Sequence, residues 1–337
     1  MCTNEKITII AEIGQAHEGS LGMAHSYIDA AAQAGADVVK FQTHIADAES
    51  SEYEPFRVKF SYEDETRFDY WKRMEFTPDQ WLALKEHCDS VGVEFMSSPF
   101  SCAAVDLLES LNVARYKIGS GEISNLLMLE RIVQTKKPII LSSGMSSYEE
   151  LDSTVTFLRQ SNADFSILQC TTKYPTEPED VGLNVITELS ERYGCPVGFS
   201  DHSGTIFPAI AAVSLGAEFI EAHLVFDKRM FGPDASSSLT VAEFAELVRG
   251  VRFIERSINN PVDKKNNQQF TPLKKIFEKS LAVNCDLPAG ATVEIKHLES
   301  KKPAAKGHPA SDYKALVGKQ TIRALNKWEF ISLMDVK

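Results

Sequence analysis

The sequence lacks paired cysteines, a long apolar run and an excess of positive charge. Its six cysteines are widely spaced and form no CxxC motif, so neither a disulfide framework nor a zinc ribbon is expected. Apolar stretches fall short of the ~18 residues that a membrane-spanning helix needs. Residues 1–10 contain no basic segment followed by an apolar core, so no signal peptide is expected. These absences predict a cytoplasmic protein with reduced thiols and no membrane partner.

Positive charge is scarce, because 35 Lys and Arg face 47 Asp and Glu, for a formal net charge of -12. Nucleic acid is therefore not an expected partner, since its recognition needs clustered lysine and arginine. An anionic small molecule stays possible, because a few buried cations create a local positive site on an acidic protein. The chain has 337 residues, 43% hydrophobic and 24% charged, which is typical of a globular protein with one large and one small domain.

Residues 1–258 alternate short apolar runs with longer amphipathic ones. The amphipathic runs have helical period, as in 23–34, 78–91, 148–159 and 241–258. The short runs are rich in β-branched residues and apolar on both faces, as buried parallel strands are: 7–13, 38–42, 93–97, 115–119, 138–142, 165–170, 197–200 and 218–223. Eight such units in about 250 residues predict an α/β fold of the (β/α)8 TIM-barrel type. An open doubly wound sheet is the alternative, but no GxGxxG loop follows the first strand.

Three segments depart from this rhythm. Segment 43–75 is long and rich in charges and aromatic rings, which predicts either a lid or partner-binding element or an ordered excursion packed by its own aromatics. Residues 259–279 start with a polar, turn-forming stretch and predict a linker. Residues 280–337 show short alternating runs between turns, which predicts a small β-rich domain that packs on its own barrel or a neighbour's.

Two lysines lie inside otherwise apolar predicted strands. In a TIM barrel the reacting groups come from the C-terminal strand ends and the loops that follow. Buried lysines such as Lys40 and Lys117 require an anionic partner. With the hydroxyls of Ser97, Ser120 and Ser142 they predict a cradle for a phosphate or carboxylate. For either lysine alone, a snorkelling or salt-bridged side chain is the alternative.

Two histidines end neighbouring predicted strands. Because imidazole commonly binds borderline divalent metals, His202 and His223 predict a metal site that water, substrate oxygen or carboxylates complete. Glu122 and Glu221 are candidates to ligate or orient that shell. A hydrogen-bonded pair of strand-end histidines is the alternative.

Three further polar residues are candidates for the same site. Glu12 ends an apolar strand, where partial burial would raise its pKa toward a role in proton transfer. A structural ion pair with Lys40 is an alternative that does not exclude this role. Tyr174 follows the predicted strand 165–170 and Asp234 follows the predicted strand 218–223, and both are candidates to bind substrate hydroxyls, although each signal is weak by itself.

Several blocks, in order along nearly the whole chain, resemble the N-acetylneuraminate (sialic acid) synthase family: AEIGQAHEGS, VVKFQ, YKIGSGE, ILSSGM, TTKYPTEPEDV, GFSDHSG, EAHLVFDK and YKALVGK. The resemblance implies a TIM barrel followed by an antifreeze-like SAF domain of the β-clip type. It implies a transferase that condenses phosphoenolpyruvate with an N-acetylmannosamine-type aldose, releases phosphate by C–O cleavage and makes a nonulosonic acid. A domain-swapped homodimer is the implied assembly.

The matching motifs carry the family's site residues onto this chain. Phosphoenolpyruvate would be held by Lys40, Lys117, Ser120, Ser142, Thr172, Tyr174 and Ser200. Manganese, or alternatively magnesium or cobalt, would be held by His202 and His223 and polarise the aldehyde. Glu12 would act near the bond-forming carbon or on the attacking water. The sugar would be positioned or bound by Gln42, Glu122 and Asp234.

Two positions depart from the family's pattern. Many relatives have asparagine where this chain has Thr172. The family's tail often carries an Arg-Pro-Gly stretch whose arginine touches the sugar's N-acyl group in a neighbouring subunit. Here KKPAAKGHPA places Lys302 at that position, or Lys306 in another register, as a candidate sugar-binding residue. Lysine cannot reproduce the planar, bidentate contact of arginine.

The acceptor and two alternative functions remain open. The aldose is N-acetylmannosamine, its 6-phosphate or a 2,4-diacetamido-6-deoxy sugar. A phosphorylated acceptor would favour extra basic residues, for which Arg57, Lys59, Lys72 and Arg73 are candidates, although an exposed charged loop explains them equally. Synthases of seven- or eight-carbon sugar acids share the barrel and phosphoenolpyruvate but lack the C-terminal β domain. A catalytically silent carbohydrate-binding homologue would not need the full set of acids, lysines and histidines.

Overall fold

The structure is a computed structural model that describes residues 6–337. Residues 1–5, which include Cys2 and the start of the segment searched for a signal peptide, lie outside the described residues. The chain divides into two compact units, Met1–Asn260 and Pro261–Lys337. Within residues 6–337, no helix is long and apolar enough to cross a membrane.

Eight parallel strands form the core of the first unit. They pair in the order β3-β2-β1-β8-β7-β6-β5-β4, and the two end strands, β3 and β4, are themselves neighbours. The sheet therefore curls into a nearly closed barrel, which confirms the TIM-barrel prediction against the open sheet. A short strand, β9 (Leu239–Thr240), adds to β8. The barrel strands are β1 (Thr8–Gly14), β2 (Val38–Thr43), β3 (Glu94–Pro99), β4 (Tyr116–Ile118), β5 (Ile139–Ser142), β6 (Phe165–Cys170), β7 (Val197–Asp201) and β8 (Phe219–Val225).

Helices connect the strands and pack their apolar faces on the outside of the barrel. In α4, for example, Thr77 and Gln80 form a capping box and Gly92 ends the helix in the left-handed region, with a φ of 80°. Its buried residues Trp81 and Leu84 recur at helical spacing. The helices are α1 (Leu21–Ala34), α2 (Ala46–Glu49), α3 (Arg67–Met74), α4 (Pro78–Val91), α5 (Cys102–Ser110), α6 (Leu126–Val133), α7 (Tyr148–Gln160), α8 (Leu183–Tyr193), α9 (Phe207–Ser214), α10 (Val241–Asn259) and α11 (Thr271–Phe277).

The interior of the barrel is apolar and filled. A compact group of strand residues occupies it: Ile10, Val38, Met96, Ile140 and Leu168. At Gly198 an added Cβ would lie 2.4 Å from Leu168 Cδ2, so only glycine fits there. Polar side chains at the upper ends of the strands are therefore shielded from water on their lower side.

Segment 43–75 is an ordered excursion packed by its own aromatic residues. It holds α2 and α3, and a capping box of Thr66 and Asp69 starts α3. Its small core contains four buried residues with three phenylalanines against them: Ala46, Tyr70, Trp71, Met74, Phe56, Phe60 and Phe68. This cluster gives the segment a fixed shape beside the barrel mouth.

The second unit contains one antiparallel strand pair, β10 (Ser280–Val283) with β11 (Leu298–Lys301), and several single bridges. Its own apolar cluster includes Leu281, Val293 and Ile331. The predicted linker 259–279 is not wholly irregular, because it contains α11. Proline at the start of TPLKKIF supplies a favourable first helical residue, a signal that the polar stretch before it obscures.

Candidate active site

The C-terminal ends of the eight strands open into one cavity of about 460 Å³. With the exception of Ser97, the barrel residues predicted to bind substrates or metal line this cavity: Glu12, Lys40, Gln42, Lys117, Ser120, Glu122, Ser142, Thr172, Tyr174, Ser200, His202, Glu221, His223 and Asp234. The structure thus brings together side chains that are far apart in sequence. The cavity has the volume of a small-molecule site.

Two lysines and two glutamates form the floor of the cavity. Lys40 Nζ lies 2.7 Å from Glu12 Oε2 and 3.9 Å from Glu221 Oε1. Lys117 Nζ donates to Glu221 Oε1 at 3.2 Å and to Ser142 Oγ at 2.7 Å. Each of the four charged residues is at most 4% exposed. The parallel pairing of Glu12 with Lys40 fixes this alternation of charge.

Burial and mutual pairing determine the charges on the floor. Burial raises the pKa of Glu221, but Lys117 and Lys40 outweigh it and lower the pKa to about 2. Burial likewise lowers the pKa of Lys40, yet Glu12 and Glu221 bring it above its usual value. By contrast, burial lowers the pKa of Lys117 and raises that of Glu12 in spite of their partners. Among the four floor groups, Lys117 and Glu12 are therefore the two whose charged forms are disfavoured by their surroundings.

The sequence predicted Ser97 as a hydroxyl of the cradle. In the structure, the hydroxyl beside Lys40 belongs to Ser98 instead. Lys40 Nζ donates to Ser98 Oγ at 3.3 Å, whereas Ser97 Oγ is hydrogen-bonded to Thr43 Oγ1 at 2.7 Å. Successive side chains of a strand point to opposite faces, so a register uncertain by one residue exchanges the two serines.

Two loop hydroxyls and a loop glycine complete the cradle. Ser120 Oγ accepts from the backbone N–H of Gly144 at 3.0 Å. An added Cβ at Gly144 would lie 2.5 Å from Thr172 Oγ1, so this loop can approach only as glycine. Among the described residues Thr172 Oγ1 is buried without a hydrogen-bond partner. Such an atom normally has a partner, so a ligand in the cavity that Thr172 lines could take this role.

The two predicted metal ligands are adjacent. The ring centroids of His202 and His223 are 5.2 Å apart. His202 Nδ1 lies 2.9 Å from the Thr171 carbonyl oxygen, so Nδ1 carries a proton and Nε2 is the nitrogen available to a metal. That Nε2 lies 3.3 Å from the Tyr174 hydroxyl, and the Tyr174 ring stacks on His202.

The electrostatics of the two histidines differ. Burial lowers the pKa of His223 to about 4, so this imidazole is neutral near pH 7 and able to ligate. Burial also disfavours a charged His202, but the Cys170 sulfur at 3.8 Å raises its pKa to about 9. A cation bound at Nε2 would displace the proton there, because a ligating imidazole is neutral.

The donor set fits a metal with open positions. Within residues 6–337, no group of three or more His, Cys, Asp or Glu is placed to hold an ion. Two neutral imidazole nitrogens fit a borderline divalent metal whose remaining ligands are water and substrate oxygens.

Several rim residues were not singled out as ligand contacts. His44 is stacked between Trp71 and Phe100, with ring-centroid distances of 4.0 and 4.6 Å, and its Nδ1 lies 2.6 Å from Glu49 Oε1. Arg57, which the sequence offered as one candidate contact for a phosphorylated acceptor, lies over the Tyr174 ring. Most of these residues belong to segment 43–75, whose aromatic composition indicated a structured element but not which side chains face the cavity.

Gln42 on β2 and Glu122 in the loop after β4 both contribute to the cavity wall. Gln42 Nε2 donates to Glu12 Oε1 at 2.7 Å. Glu122 accepts from Asn125 Nδ2 at 2.7 Å, and burial raises its pKa. Both side chains therefore present polar atoms from fixed positions.

Lys302 belongs to the second unit. Its Nζ lies 5.0 Å from the centre of the Phe277 ring. The alternative residue, Lys306, donates its backbone N–H to Ser280 Oγ at 3.2 Å. The contribution of either lysine to a sugar site stays a prediction.

Comparisons with known proteins agree with this geometry. The model of the NeuB family matches residues 27–263. The N-acetylneuraminate-9-phosphate synthase of Homo sapiens is 36% identical over 318 residues, which cover 93% of this chain and 88% of that protein. The N,N'-diacetyllegionaminic acid synthase of Campylobacter jejuni is 33% identical, with 97% and 99% covered.

One solved structure is similar to this chain in both fold and sequence. The crystal structure of the N-acetylneuraminic acid (sialic acid) synthetase from Leptospira borgpetersenii, in complex with citrate, superposes with a TM-score of 0.71 at 30% identity. The match covers 80% of this chain and 90% of that chain. With a family model that spans most of the barrel and relatives that span nearly the whole chain, this protein belongs to the NeuB family of sialic acid synthases.

Proposed function

We propose that this protein condenses phosphoenolpyruvate with an N-acetylmannosamine-type aldose to give a nonulosonic acid and phosphate. The observation that carries the proposal is the convergence of Lys40, Lys117, His202 and His223 on one cavity. The names of the human and Campylobacter relatives support the product class. A 2,4-diacetamido-6-deoxy aldose is the alternative acceptor.

Phosphoenolpyruvate binds, in this proposal, to the floor. The ammonium groups of Lys40 and Lys117 face the phosphate and carboxylate, and Ser120, Ser142 and Thr172 donate to their oxygens. The unpartnered Thr172 hydroxyl supports this placement. Tyr174 and Ser200 complete the contact set.

Manganese is the metal that we propose for His202 and His223, with magnesium or cobalt as alternatives. When bound, it supplies a Lewis acid that polarises the aldehyde of the open-chain sugar. The chain's own part is to present two imidazole nitrogens, one of them fixed by the Thr171 carbonyl.

The reaction needs one carbon–carbon bond and one water. The enol carbon of phosphoenolpyruvate attacks the aldehyde carbon, and positive charge develops at the adjacent carbon that bears the phosphate oxygen. The buried carboxylates of Glu12 and Glu221 stabilise this charge. Water adds there and Glu12 takes one of its protons, which passes on to the former aldehyde oxygen to give a hydroxyl. The C–O bond to phosphate then breaks as the added oxygen forms the ketone, and the second proton of the water leaves with the phosphate. The raised pKa of Glu12 suits it to proton transfer.

Phosphate release measured with a panel of aldoses tests the proposal. We expect release that depends on an N-acylated aldose, is lost on exhaustive EDTA treatment and returns with manganese. Turnover that survives chelation would exclude a required metal from the proposed mechanism. Release with four- or five-carbon phosphosugars would assign the protein to another sugar-acid synthase, and no release with any aldose would indicate a silent homologue.

We also propose that residues 280–337 are an SAF domain and that the enzyme is a domain-swapped homodimer. The helix α11 exposes Leu273, Ile276 and Phe277, which supports a protein partner for this helix. Mixing His202→Ala and Lys302→Ala subunits is the sharpest test. A swapped dimer regains one intact site per mixed dimer, whereas independent subunits gain nothing on mixing.

A further inference from the structure

A buried histidine that follows β2 directly lies in the wall of the cavity. His44 is 3% exposed, and its ring lies between the rings of Trp71 and Phe100, at interplanar angles of only 18° and 12°. These two stacking contacts fix the plane of the imidazole. Its two nitrogens therefore point in set directions, one toward Glu49 and the other toward Gln15.

The hydrogen bonds of His44 run in one direction. Glu49 Oε1 lies 2.6 Å from Nδ1, and an ionised carboxylate only accepts, so the ring proton is on Nδ1. Nε2 is then an acceptor, and Gln15 Nε2 donates to it at 3.2 Å. The other hydrogen of the Gln15 amide is donated to Gln42 Oε1. One amide nitrogen thus bridges two acceptors, His44 Nε2 and Gln42 Oε1, which lie 3.3 Å apart.

This hydrogen-bond series ends on the carboxylate of Glu12, to which Gln42 Nε2 donates at 2.7 Å. The reverse orientation of the Gln42 amide would set its carbonyl oxygen against the Glu12 oxygen. It would also set its NH2 group against the NH2 group of Gln15, so both contacts would be lost. His44 and Gln15 therefore fix the orientation of the amide that holds Glu12.

The backbone at the end of β1 leaves room for the last hydrogen bond of the series. The pairing of β1 with β2 shifts register between Glu12 and Gly14. Gly14 has a φ of 51°, and an added Cβ there would lie 3.3 Å from Glu12 Oε1 and 3.4 Å from Gln42 Nε2. A side chain at position 14 would press on both groups, so glycine accommodates the contact between them.

We propose that His44 is a positioning residue, which fixes the carboxylate of Glu12 through the two intervening glutamine amides. The inference rests on the proposed function, in which Glu12 takes a proton from water. Glu12 Oε2 pairs with Lys40 at 2.7 Å, so each carboxylate oxygen has its own donor. Loss of the donor on Oε1 would leave the carboxylate free to rotate away from the water that it deprotonates.

Two substitutions separate the nitrogens of His44 from its ring. His44→Phe keeps the stack between Trp71 and Phe100 but removes both nitrogens. We expect its kcat for phosphate release from phosphoenolpyruvate and N-acetylmannosamine to fall at least about ten-fold. The KM for phosphoenolpyruvate should change less than about two-fold, because the two floor lysines lie outside the series. His44→Gln restores an acceptor near the position of Nε2 and should regain at least about half of the wild-type kcat.

A variant of Gln15 reaches the same result without touching the stack. Gln15→Met removes the bridging donor and should lower kcat as much as His44→Phe does, so it decides the question if His44→Phe does not fold. In a Gln42→Met background, His44→Phe should lower kcat by less than about two-fold more, because the series is already broken. The control is His25→Phe, since His25 lies on the outer helix α1 beside His87 and its kcat should stay at the wild-type value.

The opposite results overturn the proposal. A normal kcat in folded His44→Phe, or no recovery in His44→Gln, excludes positioning through Nε2. Losses that multiply in the double variant would mean that His44 supports its surroundings independently of Gln42. If the wild type releases no phosphate with any aldose, the proposed function fails. Crystal structures of wild type and Gln15→Met then decide the positioning role: a Gln42 side chain that turns away from Glu12 supports it, and one that stays in place refutes it.

Discussion

The floor and the rim of the cavity both pair acids with bases, but in opposite surroundings. On the floor, Lys40 and Lys117 meet Glu221 on barrel strands, and each is nearly inaccessible to water. On the rim, Arg57 pairs with Asp234 from two loops, with side chains 38% and 18% exposed. The same type of contact therefore has different consequences in the two places.

Because the floor charges are buried, each depends on its partner for stability. Because the rim pair is exposed, its residues can change at little cost in stability. A buried charge that loses its partner retains its full desolvation cost, so the floor residues can change only together. An exposed pair is screened by water and contributes little to stability. In the proposed reaction, the floor would then bind phosphoenolpyruvate in a fixed arrangement, and changes in the rim loops would carry little cost in stability.

The largest effect is expected for a change at His202, on which the Tyr174 ring stacks. We expect His202→Ala to lower phosphate release by more than about a thousand-fold, because an essential Lewis-acid site loses one of its two nitrogens. The circular dichroism spectrum should change little, and manganese titration should show weakened binding. His87→Ala is the control, since His87 lies on the outer helix α4 beside Asp29. Near-normal turnover in His202→Ala would contradict the assignment.

The interdependence of the floor is tested by Glu221→Gln. Removing this carboxylate leaves Lys117 without its buried anion and Lys40 with Glu12 alone. We expect a loss of about 3–5 kcal/mol in the free energy of unfolding, measured by urea denaturation at pH 7. A loss below about 1 kcal/mol would mean that the floor tolerates unpaired charge and would remove the contrast with the rim.

His17, in the loop after β1, is a buried group that forms no ion pair with any described residue. His17 is 1% exposed and its Nδ1 accepts the Gly19 N–H at 3.1 Å. Burial, followed by the nearby His44 and Arg73, lowers the pKa of His17 from 6.5 to about 3. Because the folded pKa is the lower one, the unfolded chain binds more protons between pH 3 and 6.5, and stability falls as the pH falls through this range.

Between pH 7 and pH 5 this linkage predicts a loss of about 2 kcal/mol from His17 alone. The measurement is the difference between wild type and His17→Gln in urea unfolding at both values. Glutamine keeps an acceptor for the Gly19 N–H but does not titrate, so the variant should lose less stability on acidification. Parallel pH dependence in the two proteins would show that His17 titrates normally.

The floor could be predicted from sequence, whereas on the rim Tyr174 and Asp234 were predicted as site residues but their contacts with Arg57 were not. Lys40 and Lys117 stand out as charges within apolar strands, and barrel geometry then dictates that strand ends converge. The choice between Ser97 and Ser98 failed because it depends on a register of one residue. Arg57 and Asp234 are 177 residues apart in two loops, where no periodicity specifies which side chains meet.

The smallest effect is expected for the rim pair, and it completes the comparison. Arg57→Gln removes the contact with Asp234 and the stacking on Tyr174. Water can solvate the remaining carboxylate, so we expect less than about 1 kcal/mol lost in the free energy of unfolding at pH 7. This small loss would contrast with the large loss expected for Glu221→Gln. A stability loss for Arg57→Gln as large as that for Glu221→Gln would instead make Arg57 a structural clamp of segment 43–75.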